Sequence, residues 1–492
     1  MSPFAFKMSL PAVAGILLFL PPATIAQNSI SKPAHTAKPV ARKKMAVDPV
    51  IAQALKEISS ARIQQTIEKL VSFYTRATLS VNNPDAATSD KGIVAARNWI
   101  KSEFERYSAD CGGCLEVKTD TFIEQPQGAK DRITQPTEIQ NVYAILRGTD
   151  PQQQKRIYLV TGHYDSRNSD PVNATEAAPG ANDDGSGTAV SLECARVLSK
   201  HRFPATLIFL TVAGEEQGLR GSAHFAKMAK SEGWQLEGVL NNDIVGGNRT
   251  PGDTQQHSNR VRVFSEGIPA VTTDADLRRI RTIGSENDST SRELARYIRE
   301  VAQTYDFSGF SPQLIFRRDR FQRGGDHMAF NEQGFAAVRF TEYREDYNHQ
   351  HQNIRTENGI EYGDLTKFVD FDYVANVARL NAATLAALAS TPPAPAHVEI
   401  LTQQQENDSK ITWEPVEGAA SYEVLWRDTA DAEFPEENVT RTTETKVDLN
   451  QSKDNVVFAV RSVDAKGHRS LLVTPLPNNG AEAPAVAKPT EK

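Results

Sequence analysis

The sequence predicts an α/β protein with a mixed, largely parallel central sheet, helices on both faces, and a small all-β sandwich at the C-terminus. Three observations carry that reading. Continuous apolar runs alternate with stretches of helical period, as strands buried on both faces alternate with helices that cover them. Acidic and histidine clusters fall at the ends of those runs, where open α/β sheets form their sites. The helical texture stops at the proline-rich TPPAPAHVEI, near residue 391, and short alternating strands follow.

In chain order, IAQALKEISSARIQQTIEKLVSFY carries apolar residues at helical spacing, and GIVAARNWIKSEFERY repeats the pattern. The runs NVYAILRG, RIYLVTGHYDS, TLIFLTVAGEE and GVLNNDIVG are rich in Val, Ile, Leu, Phe or Tyr and read as strands. Between and after them, GTAVSLECARVLSKH, GSAHFAKMAKSEG, STSRELARYIREVAQTY and FDYVANVARLNAATLAALAS read as helices. Beyond the proline boundary, SKITWEPV, ASYEVLWR and NVVFAVRSVD are separated by turn residues and contain no helical stretch. The chain thus divides into an α/β domain over 48–390, a β module over 395–476 and a low-complexity, disordered tail over 477–492. No internal repeat is evident.

The length of 492 residues exceeds one ordinary core, in keeping with two domains. With 39% apolar and 24% charged residues, wholesale disorder is excluded. A net charge of −7 and the lack of a basic patch argue against nucleic acid as a partner. The N-terminus has Lys7, a short apolar run LPAVAGILLFLPP and small residues up to Ala26, the layout of a signal peptide over 1–26. The run falls short of the ~20 residues a span needs and is broken by prolines, so no membrane span is expected. Residues 27–47 read as a polar, disordered leader. Export, to a periplasm or the medium, sets an oxidising compartment. There, Cys111 and Cys114 of CGGC are expected to close a local disulfide, with a redox-active pair as the alternative. Cys194 sits in a helical apolar pattern and reads as a small buried hydrophobe.

Four polar clusters end the strands. In TGHYDS, His163 and Asp165 lie on one side of an extended chain, and a metal-bound imidazole commonly donates its other N–H to a carboxylate such as Asp165. GANDDGSG places Asp183 and Asp184 before a helix, where a carboxylate can cap; a cap explains one aspartate but not both. Glu215 and Glu216 end the most apolar strand, with one able to bind metal while the other faces water. Asp243 ends GVLNND. Later segments add Asp326 and His327 in RGGDH, and His349 and His351 in YNHQHQN. Imidazole and carboxylate donors without cysteine suit zinc, and a carboxylate can bridge two ions about 3.5–4 Å apart.

In this order, GHYDS, GANDDGSG, AGEEQGLRGS, NND and the late histidine tract resemble the co-catalytic dizinc aminopeptidase family. The family includes bacterial leucine aminopeptidases, with glutamate carboxypeptidase II and glutaminyl cyclases as relatives. The resemblance covers roughly residues 50–388, and makes 48–390 a dizinc peptidase domain. It implies two zinc ions, His163 and Asp243 on one, Glu216 and a late histidine on the other, and Asp183 bridging them. It also implies Glu215 as general base, Asp165 orienting His163, and Asp184 following Asp183 across a cis peptide. His349 is preferred as the last ligand, with His351 as the alternative; the family's Asp four residues later is here Asn353 or Arg355. Asp326 and His327 are expected to line or support the site. No protease-associated insertion is expected before His163. ITWEPVEGAASYEVLWR…VVFAVRSVDAKGHRS resembles a fibronectin type III module, with Trp413 and Tyr422 in its core and Gly467 in its last hairpin.

The resemblance implies hydrolysis of N-terminal residues from peptide substrates, the free α-amine being held by carboxylates such as Asp243 and Glu215. A carboxypeptidase or another amidohydrolase on the same scaffold is the alternative. Glutaminyl cyclase, which needs one metal, fits less well. A non-catalytic binding protein that uses the C-terminal module is opposed by the presence of Glu215 beside every metal ligand. A monomer is expected, with surface contacts to carbohydrate or protein open to the C-terminal module.

Overall fold

The computed structural model describes residues 45–85, 90–247, 249–403 and 406–478. The expected signal peptide, nearly all of the leader and nearly all of the tail lie outside these residues. Among those described, no helix is long and apolar enough to cross a membrane.

The central sheet is built from β1 (Leu115–Glu124), β2 (Thr137–Leu146), β3 (Arg156–His163), β4 (Thr206–Val212), β5 (Gln235–Asn242), β6 (Arg260–Ser265), β7 (Ser311–Ile315) and β8 (Ala337–Glu342). Their order is β1-β2-β4-β3-β5-β8-β6-β7. The centre, β4-β3-β5-β8, is parallel, while β1, β2 and β6 join by antiparallel pairing. The helices are α1 (Pro49–Leu55), α2 (Ser60–Val71), α3 (Gly92–Asp110), α4 (Gly185–Leu198), α5 (Arg220–Ser231), α6 (Asp274–Ile283), α7 (Thr290–Tyr305), α8 (His327–Asn331) and α9 (Phe371–Ser390).

Residue alternation along the strands separates two cores. On β4, Leu207 and Phe209 join the larger core with α2, α3, α4, α7 and α9, whereas Ile208 and Leu210 join Phe225 of α5 and Phe330 of α8 on the other face. β3 divides in the same way, Tyr158 and Val160 to one side and Ile157 and Leu159 to the other. Strands buried on both faces therefore read as unbroken apolar runs.

The structure corrects several elements. The first helical pattern is two helices, because the Ser59 hydroxyl caps a new start by accepting from the Arg62 N–H (3.3 Å). Strands β1, β6, β7 and β8 and helix α6 were not expected from the pattern. Most residues of β1 are partly or fully exposed, and α6 buries none. Cys111 and Cys114 are disulfide-bonded just after α3, and Cys194 is buried in α4.

After α9 the chain forms a β module. One sheet has four strands, ordered Lys446–Leu449, Ser409–Thr412, Glu399–Leu401 and Leu476–Asn478, and the other has three, ordered Val439–Thr442, Ser421–Asp428 and Val456–Val463. Trp413 and Tyr422 meet edge to face in its core, 5.2 Å between ring centroids. Gly467 has φ +91°, which the turn between Val463 and Arg469 requires. Charged pairs dock the module on α7: Glu300 takes Arg461 (2.6 Å) and Arg469 (2.7 Å), and Arg427 takes Asp288 (2.6 Å) just before the helix.

Candidate metal centre

Three parallel strands deliver their carboxyl ends to one edge of the sheet. His163 is the last residue of β3, Asp243 follows β5, and Glu215 and Glu216 follow β4. Asp183 and Asp184 precede α4, whose start lies against the same edge. All six are in or beside one cleft of about 630 Å³, lined by Asp183, Glu215, Glu216, Asp243 and His351.

The donors form two trios, His163–Asp183–Asp243 and Asp183–Glu216–His351, and within each trio the ligand atoms lie within 4.8 Å of one another. His163 Nε2 is 3.1 Å from Asp183 Oδ1 and 3.8 Å from Asp243 Oδ1. His351 Nε2 is 2.8 Å from Asp183 Oδ2 and 3.0 Å from Glu216 Oε1. Asp183 thus turns one oxygen to each trio. So many buried carboxylates require positive charge nearby. Burial alone would raise Asp183, yet His351 and His163 hold it well below the usual carboxylate range. Burial likewise opposes protonation of His351, but Glu216 and Asp183 lift it to about 10. Burial pushes the Glu215 carboxyl well up, countered by His163 and reinforced by Asp243 and Glu216. Imidazole and carboxylate donors in this setting, without a thiolate, fit zinc.

The surroundings explain why the chain holds these side chains in place. Asp165 lies within 3.4 Å of His163 Nδ1, but that nitrogen is closer to the Asp165 backbone carbonyl, at 3.1 Å. The Asp165 carboxylate instead accepts from the Thr78 hydroxyl (3.0 Å) and the N–H groups of Glu215 (3.4 Å) and Glu216 (3.2 Å). One buried acid therefore ties the β3 end to the β4 end. Asp184 is the α4 cap, accepting from Gly187 N–H (2.9 Å), and it also accepts from the N–H groups of His163 (2.9 Å) and Ile244 (3.2 Å). The cap and the expected subordinate role coexist in that one residue. The peptide between Asp183 and Asp184 is cis. Gly187 packs so closely on the Asn242 carbonyl that an added Cβ would lie 2.1 Å from its oxygen.

The preference for His349 is corrected. Its ring stacks on Phe368, 3.5 Å between centroids, its Nδ1 lies 3.2 Å from the Thr250 hydroxyl, and its Nε2 donates to the Glu361 carbonyl (3.2 Å). His351, in a left-handed conformation with φ +53°, turns into the cleft instead. Asn353 bonds Ser169 and does not face the donors. Asp326 and His327 are fully buried and are not among the residues lining the cleft. Burial pushes Asp326 up to about 7 and pulls His327 down to about 4, and His327 Nε2 donates to the Arg318 carbonyl (2.8 Å).

Sequence reasoning missed several contributors. Asp364 accepts from the N–H groups of Asn182 (2.8 Å) and Asp183 (2.7 Å). Arg339, fully buried, pairs with Asp243 Oδ1 (2.9 Å) and Asp319 Oδ2 (3.2 Å). Arg76, also fully buried, donates to the carbonyls of Tyr164 (2.7 Å), Pro179 (2.5 Å) and Gly180 (2.8 Å), fixing the loop that leads to Asp183. These are lone residues without patterned neighbours, so no sequence signal marks them. Arg76→Ala leaves three buried carbonyls without their donor. It should cost about 3–5 kcal/mol, read as a lowered midpoint in denaturant.

Imidazole and carboxylate donors gathered at the carboxyl ends of parallel strands in a helix-covered sheet make a candidate metal site. Residues 141–371 match the model of peptidase family M28. The chain is 44% identical over 426 residues to a "Probable zinc metalloprotease" of Pyrenophora teres f. teres, covering 86% of each chain. It is 43% identical over 435 residues to a protein of the same description from Pyricularia oryzae, covering 86% of this chain and 84% of the relative. Among solved structures, the LapA aminopeptidase of Legionella pneumophila is 22% identical and superimposes with a TM-score of 0.48, over 71% of this chain and 77% of that one. The chain belongs to peptidase family M28 and is a zinc metallopeptidase.

Proposed function

We propose that the chain is an exported exopeptidase that releases N-terminal residues from peptides, with two zinc ions at the strand ends. His163, Asp183 and Asp243 would hold one, and Asp183, Glu216 and His351 the other. The observation that carries this reading is the division of Asp183, one oxygen 3.1 Å from His163 and the other 2.8 Å from His351. Export rests on the sequence of residues 1–26 alone.

Zinc supplies the Lewis acidity that polarises a scissile carbonyl and acidifies a water. The remaining work falls to the chain. Glu215 faces the cleft beside Glu216 with its backbone held by Asp165, and takes the water's proton before passing it to the leaving amine. Asp165 and Asp184 hold the strand ends, and Arg339 keeps Asp243 ionised and aimed. The free α-amine of the substrate pairs with cleft carboxylates, Asp243 and Glu215 being the candidates, which confines cleavage to the chain terminus.

The test compares leucyl 4-nitroanilide with its N-acetyl form, before and after chelation. Hydrolysis of the free-amine compound, loss of that activity with chelator and recovery with zinc are expected, with the acetylated compound untouched. Equal hydrolysis of both compounds would remove the N-terminal assignment.

A further inference from the structure

The cleft that holds the metal donors also carries arginines. Arg132, Arg167, Arg320 and Arg323 line it, together with Gln350 and Tyr347. Two of the arginines are committed. Arg167 pairs with Glu216 Oε2 (3.0 Å), and Arg320 spans Asp319 (3.1 Å), Glu345 (2.8 Å) and the Gly324 carbonyl (3.1 Å). Arg132 and Arg323 are not. Arg132 donates to the Glu216 backbone carbonyl (2.7 Å) and forms no ion pair among the described residues. Arg323 gives one N–H to Glu345 (3.1 Å), a carboxylate already shared with Arg262 (2.9 Å) and Arg320. A guanidinium carries five N–H donors, so among the described residues most of those on Arg132 and Arg323 have no protein acceptor. Glu345 is thus divided among three arginines, Arg262, Arg320 and Arg323.

We propose that Arg132 and Arg323 bind a carboxylate of the substrate, so that the peptidase prefers peptides carrying a negative charge close to the scissile bond. The inference rests on the peptidase reading above and adds the substrate class. The carboxylate can be an acidic side chain or the free C-terminus of a short peptide. Both present the planar oxygen pair that arginine recognises.

The experiment uses the full chain loaded with zinc and reads kcat/KM ratios. One arm compares glutamyl with leucyl 4-nitroanilide, and the other compares leucylglycine with leucylglycinamide. A preference of about tenfold or more for the charged member is expected in at least one arm, in line with charge-assisted hydrogen bonds. It should collapse towards unity in Arg323→Gln and in Arg132→Ala/Arg323→Ala. A preference confined to the first arm assigns the side chain, and one confined to the second assigns the C-terminus, the behaviour of a dipeptidase or carboxypeptidase. Ratios near one in both arms, or a preference that survives in the double variant, overturn the proposal. Should no peptide be hydrolysed, the peptidase reading itself fails. Calorimetry with glutarate then decides the carboxylate site separately: binding about tenfold tighter to the parent chain than to the double variant supports it, and equal binding overturns it.

Discussion

Glu215→Gln should lower kcat by about 10³-fold while leaving the zinc content of the chain unchanged, since general-base catalysis is typically worth 10²–10⁴-fold. Glu215 belongs to neither donor trio, although it neighbours Glu216, which belongs to one. The substitution keeps the shape of the side chain and its backbone hydrogen bond to Asp165, and removes only the capacity to take a proton. Metal content separates this outcome from collapse of the site, so zinc analysis and steady-state kinetics belong on the same preparation. Near-normal kcat in Glu215→Gln would assign the proton transfer to another group. Asp326, buried and raised to about 7, would be the first to examine.

The second large effect separates two histidines that stand two residues apart. His351→Ala removes an imidazole 2.8 Å from Asp183 and 3.0 Å from Glu216, and should abolish tight binding at one trio. Activity should fall by more than the ~10–100-fold typical of losing an outer-shell partner. His349→Ala removes a ring stacked on Phe368 and should leave metal content intact, with a cost confined to stability. Zinc measured per chain after dialysis checks both. Retention of full zinc by His351→Ala, with loss from His349→Ala, would reverse the assignment.

Why the two histidines were hard to separate is visible in the backbone. HQHQN alternates two equivalent side chains in a polar loop, and in the folded chain it is His351, at a left-handed turn, that lines the cleft. Composition carries no trace of that turn. The central strands were legible for the opposite reason: β3, β4 and β5 are buried almost throughout, so their apolar runs are unbroken and the polar residues that end them stand out. The outer elements were not. β1 is mostly exposed, and β7 is a five-residue strand with Pro312 at its second position. His163, Glu215, Glu216 and Asp243 stand out at strand ends and Asp183 before α4, and the family resemblance gathers them into one set. Arg76 and Asp364 do not stand out, because they act on backbone groups of a loop whose path only the folded chain reveals.

Asp183 is where the account concentrates. In GANDDGSG the second aspartate caps α4 and ties down two strand ends, while the first is the donor common to both trios. If two zinc ions share it, one substitution should release both. The most direct measurement is zinc bound per chain, by elemental analysis of dialysed protein, for the parent, Asp243→Ala and Asp183→Ala. The account predicts two, one and close to none. Asp183→Ala that keeps two zinc ions, or a parent chain that saturates at one, would contradict it.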